Sequence, residues 1–220
     1  MIPWENLDSA AVPGGTEPLR LKRRGSEYSI MLGTNELMNS RLSGSEETLA
    51  RLTIEHMANR ARRRLLIGGL GMGFTLRAAL ALLPADAEVS VAELVPAVVA
   101  WARGPMADLF AGSLDDRRVT IFEGDVAAAI AKAGWDAILL DVDNGPEGLS
   151  RTGNDALYNH AGLASARIAL SPGGVLSVWS SNPDAGFTRR LKQNGFQVTE
   201  QAARAGRGRG ARHTIWLARK

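Results

Sequence analysis

No cysteine occurs among the 220 residues, which excludes disulfides, cysteine-ligated metals and cysteine nucleophiles. No run of about 18 apolar residues is present to cross a bilayer, and Met1-Ile-Pro-Trp-Glu5 lacks a signal-peptide pattern. The three histidines, His56, His160 and His213, lie far apart in sequence and show no metal-ligand spacing. Core or surface roles are expected for them, and no metal is. No internal repeat is visible, and the Gly/Arg stretch 205–212 is too short for a low-complexity domain. These absences leave a soluble, cytoplasmic protein without a membrane partner as the expectation.

What is present is a chain rich enough in apolar residues, at 45%, to bury a core. Its length allows one sizeable α/β domain plus a small appendage. The net charge of +3 is modest. Basic residues cluster at Arg20–Arg24, Arg60–Arg64 and Arg204–Arg212. Each cluster abuts a predicted element boundary, so solvated turns and helix ends are favoured over a nucleic-acid partner, which stays open.

Residues 1–18 hold three prolines and two adjacent glycines and read as an irregular arm. Leu19–Lys22 and Tyr28–Leu32 flank Arg23-Arg-Gly-Ser26 as a hairpin, and Glu36–Arg41 reads as a further short strand. Ser43-Gly-Ser-Glu46 has the spacing of a capping box, ahead of helical spacing at Leu49, Leu52 and Met57. The division expected is an arm and β-hairpin appendage over 1–42 and a Rossmann-like domain over 43–220.

From Arg64 onward, strands alternate with helices. Strands are expected at Leu65–Ile67, Val89–Glu93, Val119–Phe122, Ala137–Leu140 and, after a Pro172-Gly-Gly174 turn, Val175–Trp179. Helices are expected over 74–83, 96–107, 126–133, 155–170 and 185–194. Two last strands, Phe196–Gln201 and Thr214–Ala218, complete seven. This is an α/β pattern with a mostly parallel sheet and an antiparallel terminal pair.

The centre of that pattern is Arg64-Leu-Leu-Ile-Gly-Gly-Leu-Gly-Met-Gly-Phe-Thr75. A strand, a glycine turn and a helix bring bare backbone and unpaired N–H groups up to a nucleotide-like ligand. Gly69, Gly71 and Gly73 are the candidate cofactor-binding glycines. Glu93, at the tip of the next strand, is placed to accept both ribose hydroxyls. Asp125 reads either as a helix N-cap or as a contact to an adenine amino group. Asp141-Val-Asp-Asn-Gly-Pro146 crowds Asp141 and Asp143 into a loop after an apolar strand. It reads as a pocket for a cationic group or an amine awaiting deprotonation, or as a self-satisfied Asx turn.

Leu65–Arg77, with Glu93, Gly124-Asp125 and Asp141–Pro146, resembles the spermidine synthase-like family, across roughly residues 40–200. The resemblance implies a class I S-adenosylmethionine-dependent methyltransferase fold. It implies that Gly69, Gly71, Gly73 and Glu93 hold a nucleoside, that Asp125 contacts adenine, and that Asp141 activates an amine, with Asp143 holding a cationic acceptor. The donor would be S-adenosylmethionine or its decarboxylated form, the acceptor a small-molecule amine, and the assembly a homodimer through the amino-terminal end. Met72 stands where the family carries an aspartate on the donor's amine. Asp141 and Asp143 are two apart where the family spaces its acids by three. Aminopropyl transfer, methyl transfer to a small molecule or nucleic acid, and nucleoside binding without catalysis all remain open at this point.

Overall fold

The structure is a computed structural model that describes residues 2–58, 60–142, 145–146, 155–206 and 210–220. It begins with four antiparallel strands, β1 (Glu5–Ala10), β2 (Leu19–Arg24), β3 (Glu27–Leu32) and β4 (Asn35–Asn39), paired in chain order. Helix α1 (Gly44–His56) leads into β5 (Arg64–Gly68), α2 (Phe74–Leu82), β6 (Glu88–Glu93), α3 (Pro96–Arg103) and the short α4 (Ala107–Phe110). Next come β7 (Val119–Glu123), α5 (Val126–Ile130) and β8 (Trp135–Leu140). The chain closes with α6 (Asp155–Tyr158), α7 (His160–Ala169), β9 (Leu170–Ser180), α8 (Ala185–Gln193), β10 (Gln197–Arg204) and β11 (Arg212–Arg219).

Seven of these strands form one sheet in the order β10-β11-β9-β8-β5-β6-β7. The pairs among β5 to β9 are parallel, whereas β11 runs antiparallel to β9 and to β10. Leu65–Ile67 of β5 and Ala137–Leu140 of β8 are continuous apolar runs because helices cover both faces of the sheet. Leu65 and Ile67 join a core with Leu49 of α1, Leu76 of α2 and Val98 of α3. Leu66 and Ile138 face the other way, among Ala129 of α5, Leu163 of α7 and Phe187 of α8. Leu21 and Ile30 of the small sheet belong to the first core, so that sheet packs on the α1–α3 side.

The amino-terminal arm is where the sequence expectation needs correction. Residues 5–10 are a strand where an irregular lead was expected, and it joins the expected hairpin and the further short strand in a four-stranded sheet. Strand β1 is mostly exposed on both faces and so carries no apolar alternation to announce it.

Three smaller differences have local causes. The single helix expected over 155–170 breaks at Asn159, whose side chain accepts from the Gly162 N–H at 2.9 Å and caps α7. Pro172-Gly-Gly174 does not precede β9 but lies within it, as an irregularity in its pairing with β8. The capping box at the start of α1 does not form: Ser43 makes no side-chain cap. Its hydroxyl instead donates to Glu47, and Glu46 turns elsewhere.

Candidate active site

Between β5 and α2 the chain must turn sharply, and the three odd-numbered glycines all take positive φ. At Gly69, with φ +91°, a Cβ would also run into the main-chain carbonyl of Asp141. Only glycine lets this loop lie against the end of β8. The turn is held from β6. Glu93, 8% exposed, accepts from the Leu70 N–H at 3.0 Å through Oε2 and from the Val95 N–H at 2.9 Å through Oε1. Glu93 therefore fixes the glycine loop as well as standing beside it.

These carboxyl ends surround a cavity. Gly69 and Gly71 line it from the loop, Glu93 from β6, Gly124 and Asp125 after β7, and Asp141 after β8. The structure thus brings Gly69, Gly71, Glu93, Asp125 and Asp141 to one place. Gly73 does not line it. It supports the turn, and a Cβ there would strike the Phe110 ring. Asp125 accepts from the Ala127 N–H at 2.9 Å and caps α5, and it also faces the cavity. Cap and cavity wall are therefore compatible at Asp125. Asp143 lies outside the described residues.

The opposite wall has no counterpart in the sequence reading. Val12, Leu19, Ile30, Leu32, Leu37 and Met38, all from the amino-terminal sheet and its connections, close the cavity with apolar surface. Ala92, Val98, Val126 and Val142 add to it. A slot with apolar sides and acids at its edge fits a flat, polar-rimmed base and its ribose.

A smaller cavity opens on the same loop, and Leu37, Met38, Gly69, Gly71 and Asp141 line both. Its remaining wall is Glu46, Leu70, Met72, Phe74 and Trp179. Trp179 therefore faces a cavity and is more than core packing. Asp141 sits where the two cavities meet and accepts from the Thr75 hydroxyl at 2.6 Å. Burial, and then the carboxylate of Glu46, push the Asp141 carboxyl up to about 7, against the pull of Thr75. Burial likewise raises Glu46, with a further push from Glu47, while the Ser45 hydroxyl works the other way.

Sequence reasoning missed Glu46 because its position three after Ser43 matched a helix cap. The only signal in the chain was a second acid, Glu47, one residue on. His213 was expected to be structural. Its Nδ1 lies 2.9 Å from the Ser45 hydroxyl, and its ring meets Trp179 edge-on with centroids 4.7 Å apart. Tyr158 is core, edge-on to Phe187, and His160 bonds Asn194; neither is a cavity residue.

No family model matches the chain. Over 129 residues, 56% of its length, it is 36% identical to polyamine aminopropyltransferases of Mycobacterium tuberculosis and Mycobacterium bovis. That match spans 23% of the length of those curated relatives. Among solved structures it is similar to a spermidine synthase from Thermotoga maritima, with a TM-score of 0.78 and 19% identity, over 98% of this chain and 72% of that one. A spermidine synthase in complex with the transition-state analogue AdoDATO gives a TM-score of 0.76 at 19% identity, with the same coverage. A probable spermidine synthase from Corynebacterium glutamicum gives 0.63 at 16%, over 96% of this chain and 80% of that one. The chain shares the class I methyltransferase fold of these spermidine synthases, and over part of its length its sequence is similar to polyamine aminopropyltransferases.

Proposed function

We propose that the protein moves an aminopropyl group from decarboxylated S-adenosylmethionine to a small amine acceptor. The observation that carries this reading is Asp141, a carboxyl raised to about 7 at the junction of a nucleoside-shaped cavity and a smaller acidic one. An alkylamine is almost wholly protonated at neutral pH and cannot attack as an ammonium. A carboxylate poised near 7 accepts its proton far better than one near 4.

In the reaction, the amine nitrogen attacks the methylene carbon attached to the sulfonium. The carbon–sulfur bond breaks, and its electron pair stays on sulfur. The products are the lengthened amine and neutral methylthioadenosine, and the acceptor's proton passes to Asp141. Glu93 would hold the ribose, the glycine loop the nucleoside's sugar side, and Asp125 the adenine edge. Asp143 is assigned the cationic acceptor as its partner. Much of the rate would come from holding amine, carbon and sulfur in line.

The domain division at about residue 42 and a homodimer through the amino-terminal sheet belong to this proposal. Sedimentation of the purified chain tests the dimer. The reaction is tested by mixing decarboxylated donor with a panel of short diamines and following methylthioadenosine release. Asp141→Asn is expected to keep methylthioadenosine affinity and to lose turnover by about 100-fold or more. Methylated product from S-adenosylmethionine would replace this reading with methyl transfer. Binding with no turnover of either donor would leave a nucleoside-binding protein.

A further inference from the structure

We infer that Glu46 grips the ammonium at the end of the donor's aminopropyl tail, an inference that rests on the reading above. The glycine loop supplies no acid to meet that ammonium: Met72, buried at 2% exposure, lines the smaller cavity there. Glu46 approaches the same cavity from α1, a different element altogether. That cavity shares Gly69, Gly71 and Asp141 with the nucleoside site, so a three-carbon tail leaving the sulfonium enters it directly.

Three further observations fit a bound ammonium. Among the described residues, no lysine, arginine or histidine lines either cavity, so Glu46 and Asp141 share the smaller one without a cation. An ammonium placed between them offsets the repulsion that burial amplifies. Trp179 supplies an aromatic wall suited to a cation. Glu46 is also held in place. The Ser45 hydroxyl donates to its Oε2 at 2.7 Å, and Ser45 is itself in reach of His213 Nδ1. A hydroxyl that gives its one proton to Glu46 must accept from His213, which fixes the Nδ1–H form of that ring. His213 and Ser45 are positioning residues for Glu46.

The same arrangement selects between donors. S-adenosylmethionine adds a carboxylate beside its ammonium, and that group would enter an anionic pocket with no basic side chain among its described lining to receive it. The decarboxylated donor brings only the cation. Glu46 thereby makes the site an aminopropyl-donor site rather than a methyl-donor one.

Calorimetric titration with methylthioadenosine, decarboxylated S-adenosylmethionine and S-adenosylmethionine tests this at about pH 7.5, where alkylamines stay protonated. The unaltered protein is expected to bind the decarboxylated donor at least about tenfold more tightly than either of the others. Glu46→Gln should keep methylthioadenosine affinity and bring the decarboxylated donor to within about threefold of it. Ser45→Ala should narrow the preference in the same direction by less. An unchanged preference in Glu46→Gln overturns the inference. So does unaltered protein that binds methylthioadenosine as tightly as the decarboxylated donor, a result that needs no variant to fold and leaves the nucleoside site standing. Failure to bind methylthioadenosine at all removes the nucleoside reading and this inference with it.

Discussion

At the scale of single residues, Asp141 should dominate the pH behaviour. As a base it works only when ionised, so kcat/KM is expected to rise with pH through about 7 and then level. A pH–rate profile that is flat between about 5.5 and 8 removes Asp141 from that role. Stability runs the opposite way. The unfolded chain releases this proton near 3.8, the folded one at about 7. Between those values the folded form binds more protons, so the contribution of Asp141 is full below about 4 and is lost as pH rises through about 7. Asp141→Asn should therefore unfold later than the parent at about pH 8, by on the order of 2 kcal/mol, and show little gain at about pH 4 in denaturant melts. Glu93 is different in kind, since its two accepted N–H bonds hold the loop. Glu93→Ala should weaken methylthioadenosine binding by about tenfold or more and also lower the melting temperature. Retained affinity would show that neither the ribose nor the loop depends on it.

At the scale of elements, the glycine loop and the helix caps carry the local constraints. Gly69→Ala would force a left-handed conformation and a Cβ against the Asp141 carbonyl. A loss of about 2 kcal/mol or more is expected in equilibrium unfolding, together with weaker ligand binding. Asp184 accepts from the Gly186 N–H at 2.7 Å and the Phe187 N–H at 3.0 Å at the start of α8. Such a cap is worth ~1 kcal/mol. The glycine turn was legible in the chain, because glycine spacing acts over four or five positions. Asp125 was legible as a cap for the same reason. Glu46 was not: its spacing from Ser43 pointed to a local role, and only the approach of α1 to the end of β8 turned it toward Asp141. Trp179 was legible only as one of two readings, a pocket wall or core packing, since an aromatic at the end of an apolar strand packs inward in most settings.

At the scale of the whole molecule, the amino-terminal sheet walls the candidate cavity. It is tied to the main domain by the Trp101 indole N–H, which donates to Asp8 at 2.7 Å, and by the Tyr28 hydroxyl, which donates to the Pro105 carbonyl. Leu19, Ile30 and Leu32 belong both to the shared core and to the cavity wall. Asp8→Ala is expected to speed proteolysis within residues 1–18 and to weaken methylthioadenosine binding several-fold, with the main-sheet circular dichroism unchanged. Unaltered binding would separate the sheet from the site.

The sequence by itself determined the order of the strands and helices from Arg64 onward, the glycine turn, and the acids at strand ends. Each follows from a short-range rule: apolar runs for buried strands, φ-permissive glycines for the turn, and the requirement that polar strand tips face out of the core. It also carried the likeness to the spermidine synthases. The tertiary structure alone decided which distant residues share a wall. Glu46 and Asp141 stand 95 positions apart in the chain (141 less 46), and Ser45 and His213 are 168 apart. Their meeting depends on the packing of α1 against the sheet and on β11 running antiparallel beside β9. The packing of side chains across elements decides that meeting, and no local pattern in the chain encodes it.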